Sequence, residues 1–217
     1  MSRHPAPEEL LLDYAAGALP EGPALVVALH VALDPAARRL VETLSGLGGV
    51  LLEDEPAAGV DPSELDQVLA QIDQVAVEPP PMSKPAPAGF EWAPPALRRY
   101  LGPAPRWKRK FGGFEEIRIS LHGDSHRVSL LRLQSGKGLP VHHHVANEYT
   151  VVMQGGYTDN TGNYGVGDFA VGPGGQDHEP IADPGEPCIA LIVLEKPIVM
   201  TGVWGRLFNP LIRWGWM

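Results

Sequence analysis

The sequence predicts an α+β chain in two parts, a small N-terminal helical bundle followed by a β-barrel, and three observations carry that expectation. Apolar residues recur at helical spacing as far as residue 76 and, from Trp107 onward, at alternate positions. Prolines at 79, 80, 81, 85, 87, 94 and 95 stand between the two regimes, where neither a helix nor a central strand persists. Within the alternating region lie two histidine-bearing, glycine-spaced blocks, GKGLPVHHHVANEYTVVMQG and GDFAVGPGGQDH. The expected boundaries are 1–77 for the helices, 78–95 for a proline-rich linker, 96–200 for the barrel and 201–217 for a tail.

The helical elements follow from their punctuation. Glu8 to Leu19 places Leu11, Leu12 and Ala15 on one face and meets a stop at Pro20. Pro23 opens a second helix, almost wholly apolar from Ala24 to Leu33, as suits a helix buried between others or against a partner. Asp34-Pro35 reads as the cap and first position of a third helix, which carries Arg38, Leu40, Val41 and Leu44 and ends at or shortly after Gly46, Gly48 and Gly49. Asp61-Pro62-Ser63-Glu64 repeats the cap signal for a fourth, through Leu65, Val68, Leu69 and Ile72. The proline segment is expected to be extended and semi-rigid, separating two domains.

The strands follow from alternation: Ile117, Ile119 and Leu121; Val128, Leu130 and Leu133; Tyr149, Val151 and Met153. Gly123-Asp124, Gly155-Gly156 and residues 160–163 supply turns. Cys188 to Leu194 is nearly continuous in apolar residues, as in a fully buried strand. The tail, with Trp204, Leu207, Phe208, Leu211, Ile212, Trp214 and Trp216, reads as a packed flap, since Arg206 and Arg213 are too few to hold it on a membrane surface beside an acidic body.

Composition narrows the function classes. The 217 residues, 44% hydrophobic and 20% charged, suffice for a buried core. A formal net charge of −9 argues against direct nucleic-acid binding, which needs clustered Lys and Arg, and suits a basic partner. Cys188 is the only cysteine and makes no intrachain disulfide. With no signal-peptide pattern and no apolar run of membrane-spanning length, a cytoplasmic protein is expected.

The histidine blocks carry the chemistry. His142 and His144, two apart on a strand, project to one face, and Glu148, an even number of positions on, returns to it. His178 brings a fourth donor from the second block, so the expected site is three imidazoles and one carboxylate around one divalent metal ion. His143 points to the opposite face.

The two blocks resemble the paired motifs of the cupin superfamily at every ligand position and at the spaced glycines and proline, with Ala182 where many cupins carry an asparagine. This resemblance implies a double-stranded β-helix, or jelly-roll barrel. The stretch HPAPEELLLDYAAGALPEGPALVVALHVALDPAARR resembles the anti-sigma domain of ChrR-type anti-sigma factors, in which a helical domain precedes a cupin. In that family two histidines and two cysteines of the helical domain hold zinc. His4 and His30 match the histidines, whereas Asp34 and Ala37 stand where the cysteines would be. His4, His30 and Asp34 thus form a possible degenerate second metal site, or ordinary residues of a domain held by apolar packing.

The resemblance implies a transcriptional regulator: the helical domain sequesters an extracytoplasmic-function sigma factor, and the metal-bound cupin senses an oxidative or peroxide signal. Zinc is the metal this implies, with iron or manganese as alternatives. The competing readings are a metal-dependent cupin enzyme, a dioxygenase or isomerase, with His122 and His126 as further candidates if their strand faces the cavity, and a cupin that binds a small-molecule ligand without turnover. No residue is assigned a catalytic role.

Overall fold

Prolines and one aspartate set the helix starts. In the computed structural model, which describes residues 2–59, 61–74, 86–110, 113–172, 174–196 and 198–200, α1 spans Glu8–Ala15 and begins directly after Pro7. It stops four residues short of Leu19 because Gly17 turns the chain into the left-handed region at φ 68°. Helix α2, Glu21–Leu33, starts after Pro20, earlier than Ala24. Helix α3, Pro35–Glu53, is capped by Asp34 Oδ1, which accepts from the Ala36 and Ala37 N–H groups at 2.6 and 3.1 Å. It continues through Gly46, Gly48 and Gly49 to Glu53. Glycine weakens a helix by about 1 kcal/mol relative to alanine but keeps its N–H, so the ladder survives where proline would break it. Helix α4 covers Pro62–Gln74, with Asp61 accepting from the Ser63 N–H, and α5 is a single turn, Pro95–Arg98.

The remaining elements are antiparallel strands. In chain order they are β1 Lys108–Arg109, β2 Glu115–Ile119, β3 Arg127–Leu133, β4 His142–His144, β5 Glu148–Gln154 and β6 Gly156–Thr158, then β7 Asn163–Gly165, β8 Phe169–Gly172, β9 Asp177–His178, β10 Ile181–Ala182, β11 Cys188–Leu194 and β12 Ile198–Met200. One sheet runs β1-β2-β3-β11-β5-β8; two three-stranded sheets run β10-β6-β7 and β12-β4-β9. The small sheets close over the inner face of the large one as a cupin barrel. Gly155, at φ 64° between β5 and β6, is required there: a Cβ would lie 2.6 Å from the Pro187 carbonyl oxygen.

Alternation along the large sheet assigns each face. Ser129, Leu131, Thr150, Ala190 and Ile192 line the barrel interior. Val128, Leu130, Val151, Leu191 and Val193 point outward, yet all five are buried, because Leu25, Val26 and Leu29 of α2 pack against them in one continuous core. An apolar helix and an apolar outer sheet face each need covering, and each covers the other.

The expectation that the proline segment holds two parts separate meets this shared core. Residues 78–85 lie outside the described residues. The end of the segment leads inward: Phe90 and Ala93, followed by Leu97 of α5, are buried in the same core as α2 and the sheet. The tail expected at 201–217 lies outside the described residues. Cys188 is buried in the barrel, and burial pushes its thiol up to about 12, which makes it an inert core residue at neutral pH. Among the described residues no helix is long and apolar enough to cross a membrane.

Candidate metal centre

Three antiparallel strands bring the histidines together. His142 pairs in register with His178 between β4 and β9, and β12 covers the other edge of β4, with Ile198 opposite His144. The period of two sends His142 and His144 into the barrel, where both are buried, and leaves His143 half-buried on the other side facing Asp177 at 3.2 Å. Among the described residues, His142, His144 and His178 are the group whose ligand atoms all lie within 4.8 Å of one another. Glu148, the first residue of β5, reaches the group through His144, its Oε2 3.2 Å from that Nε2.

Hydrogen bonds fix which nitrogens face inward. His142 Nδ1–H donates to the Pro140 carbonyl at 2.8 Å, and His178 Nδ1–H donates to Asp159 Oδ2 at 3.1 Å. Both residues therefore turn a lone pair on Nε2 toward the centre, and those two atoms lie 3.0 Å apart. His144 Nε2 lies 2.8 Å from His178 Nε2, while His144 Nδ1 is buried with no hydrogen-bond partner among the described residues. Facing lone pairs repel unless a positive charge lies between them. A proton on His178 serves one partner at a time, whereas a cation serves all three nitrogens and the carboxylate, so the donor set fits a divalent metal.

The electrostatics agree. Burial, followed by the charge of His178, holds His142 down at about 4, and burial followed by His142 holds His144 at about 3, so both are neutral and ligand-competent at neutral pH. Burial pushes the Glu148 carboxyl up, partly offset by His178 and by the Thr150 hydroxyl, which donates to Glu148 Oε1 at 3.1 Å. Burial would lower His178, but the hydrogen bond to Asp159 and the surrounding carboxylates raise it. Asp159, although buried, is held at about 2 by His178 and Thr161.

Beside the centre is a small cleft, partly open to solvent and lined by Phe114, Leu131, Leu139, Ile192, His142 and Glu148. Its lining also includes the buried Glu116 carboxylate, which is held by Lys110 and Arg127, each at 2.8 Å, and by the Ser129 hydroxyl at 2.6 Å.

The second set of ligand candidates is not brought to a common point. His30 uses both ring nitrogens: Nδ1–H donates to the Gly167 carbonyl at 2.9 Å and Nε2 accepts from the Ala6 N–H at 3.1 Å. The His4 ring lies against Tyr164, with centroids 4.5 Å apart. Asp34 caps α3 and accepts from the Ser2 N–H at 2.6 Å and from the Ser2 hydroxyl. Hydrogen bonds thus occupy the ring nitrogens of His30 and the carboxylate of Asp34, two of the four positions where the family resemblance implied zinc ligands. His122 is exposed, and His126 is bonded to Asp124 near the start of α2, so neither faces the centre. Asp159, which orients His178, carries no sequence signal beyond its turn-forming neighbours; it arrives from the β6–β7 loop, nineteen positions before His178.

Comparison with known proteins places the whole chain. Residues 106–197 match the family described as the ChrR cupin-like domain. The anti-sigma-E factor ChrR of Cereibacter sphaeroides is 31% identical over 214 residues, which cover 97% of this chain and 98% of that protein. The crystal structure of Rhodobacter sphaeroides SigE in complex with the anti-sigma ChrR superposes with a TM-score of 0.75 at 31% identity, covering 88% of this chain and 98% of the matched one.

Proposed function

Because the chain belongs to the family of ChrR anti-sigma factors, we propose that it sequesters an extracytoplasmic-function sigma factor through its helical part and reads an oxidative or peroxide signal through a metal-bearing cupin. The observation that supports sequestration is an apolar surface that the described residues leave exposed. Leu47, Val50, Leu51 and Leu52 on the second half of α3, and Leu65, Val68, Leu69 and Ile72 on α4, are each at least half exposed. On α4 they recur at i, i+3, i+4 and i+7, so they form one stripe. An exposed apolar stripe of that kind fits a protein–protein contact, and the net charge of −9 suits a basic partner.

In the cupin, His142, His144, Glu148 and His178 are the residues that would hold the ion, zinc by family resemblance, with iron or manganese as alternatives. A bound divalent ion supplies Lewis-acid polarisation to an oxygen donor entering from the cleft. The chain's own groups prepare the place: Pro140 and Asp159 fix two imidazole tautomers, Thr150 orients Glu148, and the apolar wall of Phe114, Leu131 and Ile192 admits a small apolar molecule while limiting water. That cleft also supports a second reading, a cupin that binds or turns over a small ligand independently of a sigma factor.

The test is capture of the sigma factor by the full chain. The parent is expected to hold a sigma factor of this class from the same genome in a stable complex, and Leu51→Asp with Leu69→Asp to weaken it by about a thousandfold, at about 2 kcal/mol per buried anchor. Undiminished binding by the double variant overturns the assignment of the surface, and a parent that binds no such sigma factor leaves the small-ligand reading in its place.

A further inference from the structure

The N-terminal segment Ser2–Ala6 is fastened alternately to the two parts of the molecule. Its ends are on the helical side: Ser2 bonds Asp34 at the start of α3, and the Ala6 N–H donates to His30 of α2. Its middle is on the barrel: the Arg3 and His4 N–H groups donate to Asp168 Oδ1 at 2.6 and 3.1 Å, and the Phe169 N–H donates to the His4 carbonyl at 2.8 Å. The segment thus ties Asp34 and His30 to the chain around Asp168, and His30 is bonded there directly as well, through the Gly167 carbonyl.

A line of contacts leads from this segment to the candidate metal centre. The His4 ring packs on Tyr164, whose ring also stacks on Tyr157 with centroids 4.9 Å apart. The Tyr164 hydroxyl lies 3.0 Å from Thr161 Oγ1. Thr161 Oγ1–H donates to Asp159 Oδ1 at 2.6 Å, so its single proton is committed and the Tyr164 O–H must be the donor to Thr161. Asp159 Oδ1 also accepts from the Thr161 and Gly162 N–H groups at 2.8 and 3.2 Å, and Asp159 Oδ2 accepts from His178 Nδ1–H. Four donors converge on one carboxylate, the Tyr164 hydroxyl stands behind one of them, and that carboxylate orients a candidate ligand.

We propose that Asp159, Thr161 and Tyr164 are positioning residues that couple the orientation of His178 to the seating of Ser2–Ala6, so that loading the metal centre tightens the helical part onto the barrel. The coupling rests on the reading of His142, His144, Glu148 and His178 as a metal site and is independent of sigma-factor capture. A cation that draws on His178 Nε2 makes its Nδ1–H a stronger donor, which holds Asp159 and the loop 159–164 more firmly beneath His4. Both sites bias one packed joint, the Tyr164–His4 contact.

The experiment is residue-resolved amide hydrogen exchange on the full chain, stripped with a chelator and reloaded with zinc alone, with bound zinc measured on the same samples. In the parent, zinc is expected to slow exchange at Arg3, His4, Ala6 and Phe169 by about fivefold or more, the lower end of ordinary coupling between sites, beyond any change at the amides of α4. Tyr164→Phe keeps the ring and removes only the hydroxyl; it is expected to bind zinc to the same stoichiometry and to lose most of that slowing. Thr161→Val removes the middle hydroxyl and is expected to do the same, so the outcome does not depend on one variant folding well. Zinc bound at one equivalent with no slowing at these amides overturns the coupling and leaves the metal site standing. Slowing that is equal throughout the chain, or fully retained in both variants, also overturns it, because general stabilisation by ligand needs no relay. A parent that binds no zinc removes the metal reading and the coupling together.

Discussion

Replacing Asp34 by alanine tests whether hydrogen bonds do the work that the family resemblance assigned to zinc. Asp34 is buried and accepts four hydrogen bonds, from the Ala36 and Ala37 N–H groups and from the N–H and hydroxyl of Ser2. Loss of a helix cap costs about 1 kcal/mol. Each hydrogen bond to a charged group contributes about 1.5–3 kcal/mol, and Ser2, only partly buried, recovers some of that from water. The expected loss is about 2–4 kcal/mol, or about 5–15 °C in the unfolding midpoint for a chain of this size. Asp34→Asn, which keeps a capping oxygen, should lose less than half as much. The pH dependence supplies a second check. Burial would raise the Asp34 carboxyl, but the bonds from Ser2 and the cap hold it well below its ordinary 3.8. Its contribution is therefore complete above that value and is lost as pH falls through the folded value, so the gap between parent and Asp34→Ala should narrow by about 1 kcal/mol between pH 7 and pH 3. Urea denaturation of the full chain measures both. A loss under about 0.5 kcal/mol, or a gap that does not narrow in acid, refutes the reasoning.

Two further outcomes are expected. His142→Ala combined with His144→Ala should empty the protein of divalent metal by elemental analysis, whereas His4→Ala with His30→Ala should leave the equivalent in place, because both nitrogens of His30 are already hydrogen bonded. Burial, opposed by the Gly167 hydrogen bond and by Asp34 and Asp168, lowers the folded-state value of His30 below 6.5. The neutral ring is therefore favoured in the folded state: stability is undiminished above pH 6.5 and falls as pH drops below it, with a slope approaching about 1.4 kcal/mol per pH unit. Stability curves at pH 7.5 and 5.5 that show the same fall in His30→Gln as in the parent would assign that slope to another group.

Local rules made much of this molecule legible in the sequence. The Asp34-Pro35 and Asp61-Pro62 caps start α3 and α4 where expected, because a cap is settled by a side chain and the N–H groups two or three positions away. A nearly continuous apolar run marks β11 at Cys188–Leu194, and the two-residue period alone puts His142 and His144 on one face and His143 on the other. The spacing of the two blocks gave His178 as the companion of that pair, and the strands do bring the three imidazoles together.

What the tertiary structure decided depends on residues far apart in the chain. The apolar character of α2 required a cover, but only packing shows the cover to be the outer face of the barrel sheet. The helix boundaries moved where a single backbone angle prevailed over pattern, as at Gly17, or where glycines lowered propensity without removing a hydrogen bond, as at Gly46 to Gly49. Asp159 beneath His178 and Asp168 beneath His4 come from loops whose approach no spacing rule encodes. The use of His30 and Asp34 as hydrogen-bonding residues was settled by Gly167, Ala6 and Ser2, partners between 24 and 137 positions away. Sequence periodicity fixes which face a side chain takes; only the folded chain determines what stands opposite that face.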